Sequence, residues 1–312
     1  MIIDYIYKMI SDEFNSKIWI YFETNLKPRT RKEYWKIIID FDKEVGHDPL
    51  TLTNKEAKQY YEYLLNKIQH NKINYSTGVM RLSVIRSICN FIEYYTTNHG
   101  NKYINYFKDY SLPEQDKMID EQDMPTSQEI NSILEVIKEN KDDKAFLIFI
   151  LAVKCALTNS EICKLNLEYI AIDKANNSIC INYPPNGRNN ISRTIKLPDD
   201  IAVLLDKYIY TNNIKEGPVF INKRKNRMQL RDSERLIEKY CKICLEKNKI
   251  RKKYTLQSLR HTGLSYMLAG GAPKEAVANY AGITGRWMTR YERVISSTTY
   301  NKAVDYSIIQ IL

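Results

Sequence analysis

The sequence predicts a mainly α-helical protein with one small β-hairpin or sheet, built as two helical domains joined by a linker. Three observations predict this. Apolar residues recur at three- and four-residue spacing through most of the chain. Ser/Thr-x-x-Glu signatures, which close a helix start by reciprocal hydrogen bonds, stand at Thr30–Glu33, Thr53–Glu56 and Thr126–Glu129. Residues 178–198, SICINYPPNGRNNISRTIKLP, instead read as two strands around a turn containing Asn186-Gly187.

The elements follow in order. The Thr30 box opens a helix with Tyr34, Ile37, Ile38 and Phe41 on its apolar face, and GHDPL ends it. The Thr53 box opens a second, with Ala57, Tyr60, Tyr61, Leu64 and Leu65 inward. Ser76 starts a third, with Val79, Leu82, Ile85, Ile88, Phe91 and Ile92 inward and Arg81 and Arg86 on its exposed face. Residues 1–110 thus form a bundle of about four helices. Residues 111–125, SLPEQDKMIDEQDMP, are acidic, polar and bounded by prolines, and read as a linker. A long helical region follows from Thr126 to about Leu167, with FLIFILAV at 146–153 as a core piece. After the hairpin, helices resume from Asp199 nearly to the end. The second domain is 126–312. No internal repeat or low-complexity tract interrupts this order.

Composition bounds the function. Of 312 residues, 44% are apolar and 27% charged, an ordinary globular balance rather than a disordered one. Ten Gly and nine Pro argue against collagenous character and against a Gly-rich cofactor fold. Lys and Arg number 47 against 37 Asp and Glu, a formal charge of +10, which favours a polyanionic partner, nucleic acid before an anionic membrane. The 24 tyrosines are mostly a matter of AT-rich codons, since Asn, Lys and Ile are abundant too. The N-terminus is broken by Asp4, Lys8 and Asp12, and no stretch holds about 18 uninterrupted apolar residues, so a soluble, cytoplasmic protein without membrane contact is expected.

Six cysteines are too sparse for a disulfide scaffold. Cys241 and Cys244 form a CxxC, but no second Cys or His pair lies near, so they read as buried thiols rather than a metal or redox site. The four histidines are isolated, which argues against a His-bound metal centre. No cofactor is expected.

Basic clusters occur in both halves: Lys27/Arg29/Arg31/Lys32, Lys223/Arg224/Lys225/Arg227 and Arg251/Lys252/Lys253. Their spread suggests a clamp around a long polyanion. Three further segments carry chemistry: ALTNSEICKL (156–165), LQSLRHT (256–262) and AGITGRWMTRYERV (281–294). With the helical first domain and the hairpin, these resemble the tyrosine recombinase, or phage integrase, family over nearly the whole chain. SLRHT about 30 residues ahead of RYERV is the most specific part.

The resemblance implies a helical core-binding domain followed by a catalytic domain. It also implies metal-free phosphoryl transfer on double-stranded DNA. A tyrosine attacks a phosphodiester, forms a 3′-phosphotyrosyl intermediate and releases a 5′-hydroxyl. Tyr291 matches the nucleophile, Arg260 the second phosphate-binding arginine, and His261 the supporting residue after it. Glu161 keeps an acidic position in the first segment. Other positions depart from the pattern. Thr158 stands where the family has its first arginine, and Gln257 where it has a histidine. The hairpin lysine is absent, and the His or Trp before the tyrosine falls near Gly282 or Ile283, one residue short. Lys154, four residues before Thr158 on the same helix face, Arg188 in the hairpin turn, and Arg286 with Trp287 before Tyr291 are the available substitutes. Arg29, Arg31, Arg81, Arg86, Lys154, Arg188 and Arg286 are the candidate DNA-binding residues.

Two functional readings stand. The first is an atypical recombinase that cuts and rejoins DNA through Tyr291, for mobile-element integration or excision, for resolution, or for relaxase-like nicking in conjugation. The second is a non-cleaving, sequence-specific DNA-binding or accessory protein on the same fold. The resemblance further implies homo-oligomers on DNA, accessory DNA-bending or directionality proteins, and a terminal helix over 296–312, bearing Ala303, Tyr306, Ile309 and Leu312, that docks on a neighbour or on its own domain.

Overall fold

The computed structural model describes residues 10–113, 118–173, 178–184 and 192–292. The chain divides into two compact units, Met1–Asp116 and Lys117–Leu312.

The first unit is helical. A π-helical turn, Phe14–Trp19, runs into α1 (Ile20–Asn25), followed by α2 (Pro28–Val45), α3 (Asn54–Gln69) and α4 (Tyr75–Asn98). Helix α2 starts two residues before the Thr30 box, because Pro28 sits at its first turn, where the missing N–H costs nothing; Thr30 makes no cap. Helix α3 does use its Thr53–Glu56 box. Asn74, rather than Ser76, caps α4, its side chain accepting from the Thr77 N–H at 2.9 Å. The expected apolar stripes meet in one core around Phe14, Ile38, Phe41, Tyr60, Leu64, Ile85 and Ile88, all fully buried. Burial of each such side chain contributes roughly 1.5–3 kcal/mol.

Arg81 and Arg86 do not stand on an exposed face. Both are half-buried. Arg81 donates to Asp40 at 2.5 Å, and Arg86 donates to the carbonyls of Phe107 and Tyr110. Each guanidinium reaches across to a neighbouring segment of the same unit.

The expected linker is anchored at both ends. Leu112 packs in the first core, while Ile119 and Met124 pack in the second unit, where the Ile119 N–H donates to the Arg290 carbonyl at 2.7 Å.

The second unit holds α5 (Ser127–Glu139), α6 (Asp143–Lys154), α7 (Asn159–Lys164), β1 (Ile170–Asp173), β2 (Ser178–Tyr183), β3 (Arg193–Lys196), α8 (Asp199–Thr211), α9 (Leu230–Glu246), α10 (Leu256–Ala269), α11 (Lys274–Ala281) and α12 (Gly285–Met288), ending in a 3-10 turn, Thr289–Tyr291. The helical region expected over 126–167 is three helices, and Lys141, φ 52°, stands at the first break. Ala156 stands at the second with a left-handed backbone, φ 49°. The hairpin is part of a three-stranded antiparallel sheet of order β1-β2-β3, with Tyr183 opposite Arg193. The turn with Asn186, Gly187 and Arg188 and the terminal segment 296–312 lie outside the described residues.

Helix α6 is the centre of this unit: every residue from Ala145 to Val153 is buried. Helix α10 lies against it, and Gly263 makes the approach possible, since a Cβ there would stand 1.9 Å from the Val153 carbonyl oxygen. All six cysteines are buried. Burial raises the Cys241 thiol and pushes Cys244 up to about 11, as suits packed thiols. Among the described residues, no helix is long and apolar enough to cross a membrane and no His/Cys/Asp/Glu group is placed to hold a metal ion.

Candidate active site

Helix α10 opens with a reciprocal cap, the Ser258 N–H donating to Thr255 Oγ1 at 3.1 Å and the Thr255 N–H to Ser258 Oγ at 2.8 Å. That start fixes where the next turn points. Gln257 and His261, four apart, share a face, and Arg260 turns inward, 4% exposed.

Two chains of contacts meet at Arg260 and His261. In the first, Gln257 Nε2 lies 2.9 Å from His261 Nε2, and His261 Nδ1 lies 2.6 Å from the Tyr291 hydroxyl. Tyr291 is 2% exposed. Burial pushes its phenol up to about 12, with Arg260 and Arg290 pulling the other way. Burial also pushes His261 down to about 4, and the charges of Arg290 and Arg260 add to the effect. His261 is therefore neutral at physiological pH, and its Nδ1 shares a hydrogen bond with the phenol.

A pH dependence follows. The folded state holds His261 below its ordinary 6.5, so it binds fewer protons than the unfolded chain. This stability is complete above about pH 6.5 and is lost as pH falls toward 4. A thermal melt of the wild type against His261→Gln should show the wild type losing more stability across that window. Parallel curves would mean that His261 is not held neutral.

In the second chain, Arg260 donates to the carbonyls of Ala156 and Ala281, the latter at 2.7 Å. Its Nη1 also lies 3.5 Å from Glu161 Oε2. Burial lowers the Arg260 pKa, Glu161 opposes this and Arg193 adds to it. The other Glu161 oxygen, Oε1, accepts from Arg193 on β3. Arg193 also bonds the Tyr280 carbonyl, through Nε at 2.8 Å.

Thr158, where the resemblance would have an arginine, caps α7. Its Oγ1 accepts from the Glu161 N–H at 3.1 Å, and its own N–H donates to Glu161 Oε2 at 2.7 Å. One carboxylate thus starts a helix and holds two guanidiniums. These groups line a cavity of about 760 Å³, whose walls also carry Lys164, Tyr169 and Tyr183.

The predicted residues divide accordingly. The structure brings Tyr291, His261 and Gln257 into one chain, and Arg260 and Glu161 into the adjoining one. Lys154 does not join them. Helix α6 ends at Lys154, so it shares no helix face with Thr158, and its Nζ bonds Asp200 at 2.6 Å. Arg29 and Arg286 are exposed, as is Trp287, while Arg31 is half-buried and donates to the Glu23 carbonyl at 3.2 Å. In the basic cluster at 251–253, Arg251 is tied to the buried Glu129 at 3.0 Å. Arg193 carries little signal in the sequence. Its only signal is an arginine opening the strand after the hairpin turn.

Residues 124–293, more than half of the chain, match the model of the phage integrase family. The chain belongs to the phage integrase family. No curated protein sequence matches it. Among solved structures, this family member resembles a lambda integrase dimer bound to a COC′ core site, with TM-score 0.66 and 14% identity over 91% of this chain and 94% of that one. It also resembles the Tn1549 transposon integrase in complex with transposon right-end DNA, with TM-score 0.65 and 15% identity over 86% and 90%. A third is the XerH site-specific recombinase bound to a palindromic difH substrate, with TM-score 0.65 and 13% identity over 85% and 76%. At these identities the likeness is one of fold.

Proposed function

We propose that this phage integrase family member cuts and rejoins double-stranded DNA at specific sites, with Tyr291 as nucleophile. The observation that carries the reading is the 2.6 Å contact between His261 Nδ1 and the Tyr291 hydroxyl. A phenol is a poor nucleophile near neutral pH unless a neighbour takes its proton. His261, neutral and within hydrogen-bond reach, is that neighbour.

Gln257 decides which way the imidazole faces. With its amide NH2 toward His261, the ring accepts there and Nδ1–H donates to the phenol oxygen. With the amide turned over, Nε2–H donates to the amide oxygen and Nδ1 accepts the phenol proton. Gln257 cannot titrate, yet it sets the tautomer that allows transfer.

In the step proposed, the Tyr291 oxygen bonds to phosphorus as the bond to the 5′ oxygen breaks. His261 receives the phenol proton and passes it on to water, from which the leaving 5′ oxygen takes one up. One ester replaces another and no net proton is consumed, so rejoining is the same step reversed. Arg260 holds the non-bridging oxygens, where the transition state gathers charge. Exchange of strands between two sites requires several protomers on the DNA.

The second reading, a DNA-binding protein that does not cut, is favoured by two observations: Thr158 serves as a helix cap, and Tyr291 is covered. One experiment decides. Nicked suicide duplexes tiling the DNA that flanks the gene are incubated with the protein in EDTA, and a covalent protein–DNA adduct is sought. Wild type should form it and Tyr291→Phe should not. An adduct that survives this change moves the role to another tyrosine, Tyr254 or Tyr280 being nearest in sequence. No adduct from any duplex that the wild type binds would favour the second reading.

A further inference from the structure

We propose that Arg193 is a second phosphate-holding guanidinium of this site, acting beside Arg260 on the DNA phosphodiester that Tyr291 attacks. The proposal rests on the cleavage reading above.

Among the described lining residues of the 760 Å³ cavity, the cations are Lys164, Arg193 and Arg260, and the carboxylate is Glu161. Arg193 is 10% exposed and Arg260 5% at the side chain, and both draw on that one carboxylate. Two guanidiniums out of water against one carboxylate leave a positive charge that the lining does not neutralise. Such a charge is costly unless an anion meets it. Any anion that does so must enter from the cavity.

Geometry points the same way. Arg193 and Arg260 meet opposite oxygens of Glu161, so one carboxylate already bridges their heads. A guanidinium has five donors. Arg193 uses Nε, Nη1 and Nη2 on Tyr280 and Glu161, one bond or more at each, and the terminal nitrogens carry further hydrogens. The local backbone makes room for this side chain. Gly282 sits in the left-handed region, φ 65°, and a Cβ there would come within 2.8 Å of Arg193 Cδ. The strand register and the Tyr183 hydroxyl, which donates to the Glu161 carbonyl at 3.1 Å, tie β2 and β3 to the start of α7. Arg193 is thus held rigidly where an anion would meet it, which is what electrostatic stabilisation of a developing phosphorane requires.

The ligand is a phosphodiester rather than a free anion, because Tyr291 and His261 adjoin Arg260 and need a bond to attack.

The test uses the full-length chain and the suicide duplex that gives the wild-type adduct, with the cleaved phosphate mapped from that adduct. Arg193→Ala should slow adduct formation by at least about 100-fold while duplex binding in a gel shift changes by less than about threefold, as expected on removing one charged donor from a transition state. Arg193→Lys should recover part of the rate. The charge-specific readout is a duplex with one neutral methylphosphonate at the cleaved position. Neutralising the phosphate removes the need for a second cation, so the ratio of wild-type to Arg193→Ala rates should shrink toward one. A ratio that stays the same on both duplexes would make Arg193 structural and overturn the proposal, as would an unchanged rate on the ordinary duplex. No adduct from wild type would overturn the cleavage reading itself, and this proposal with it.

Discussion

Gly263→Ala is expected to destabilise the second unit by about 3 kcal/mol or more, at the upper end of what overpacking costs. The new methyl would sit 1.9 Å from the Val153 carbonyl oxygen, and backbone cannot give way as a side-chain tip can. Helices α6 and α10 would have to part. Helix α6 is buried along its length from Ala145 to Val153, so separation opens space at the core's centre. Helix α10 carries Gln257, Arg260 and His261, so the same shift would misplace them against Ala156, Ala281 and Tyr291. A melt should show a clear fall in Tm for this unit, together with loss of any adduct. A Tm within a degree of wild type would mean that α10 does not approach α6 as described.

Glu161→Gln is expected to have the second large effect, about 3–5 kcal/mol, the usual cost of breaking a buried ion pair by removing one partner. Gln can still accept the Thr158 N–H, so the α7 cap would survive. What is lost is the negative charge shared by Arg193 and Arg260. The variant should also regain stability when phosphate or sulfate is added, because an anion in the cavity replaces the missing charge; the wild type should gain less. A loss under about 1 kcal/mol would show that water already screens the two arginines.

Much of the helical order was legible because its determinants are local. The boxes at Thr53 and Thr126 form as their spacing says, and the stripes of Ile37, Phe41, Ile85 and Ile88 face inward. The Thr30 box fails for a local reason too, since Pro28 starts the helix earlier. Thr158 and Glu161 carry the same signature. Set against a catalytic pattern, Thr158 reads as a missing arginine; set against helix starts, it reads as a cap. Strand β1 was hidden because four residues give almost no periodic signal. Arg193 was hidden for a different reason. Its partner Glu161 lies 32 residues earlier, on another element, and strand register alone brings them together. Arg81 and Arg86 look exposed from sequence because a helical face alone does not show that Asp40 or the Phe107 carbonyl will cover it.

The cover over Tyr291 has a kinetic meaning. On the cleavage reading, Tyr291, with 2% of its surface in water, would meet a phosphate only in molecules where the 285–292 segment has moved. The cutting rate is then the intrinsic rate multiplied by the fraction of time the segment stands open. Among the described residues, the contacts that hold it include the Ile119 N–H on the Arg290 carbonyl, the Lys274–Glu292 pair, the hydroxyl on His261, and the packing of Met288 and Tyr291 beside Leu264 and Ala281. A partner that engages the segment would have to replace these contacts to open it. On that reading, cutting would be confined to DNA on which something opens the segment.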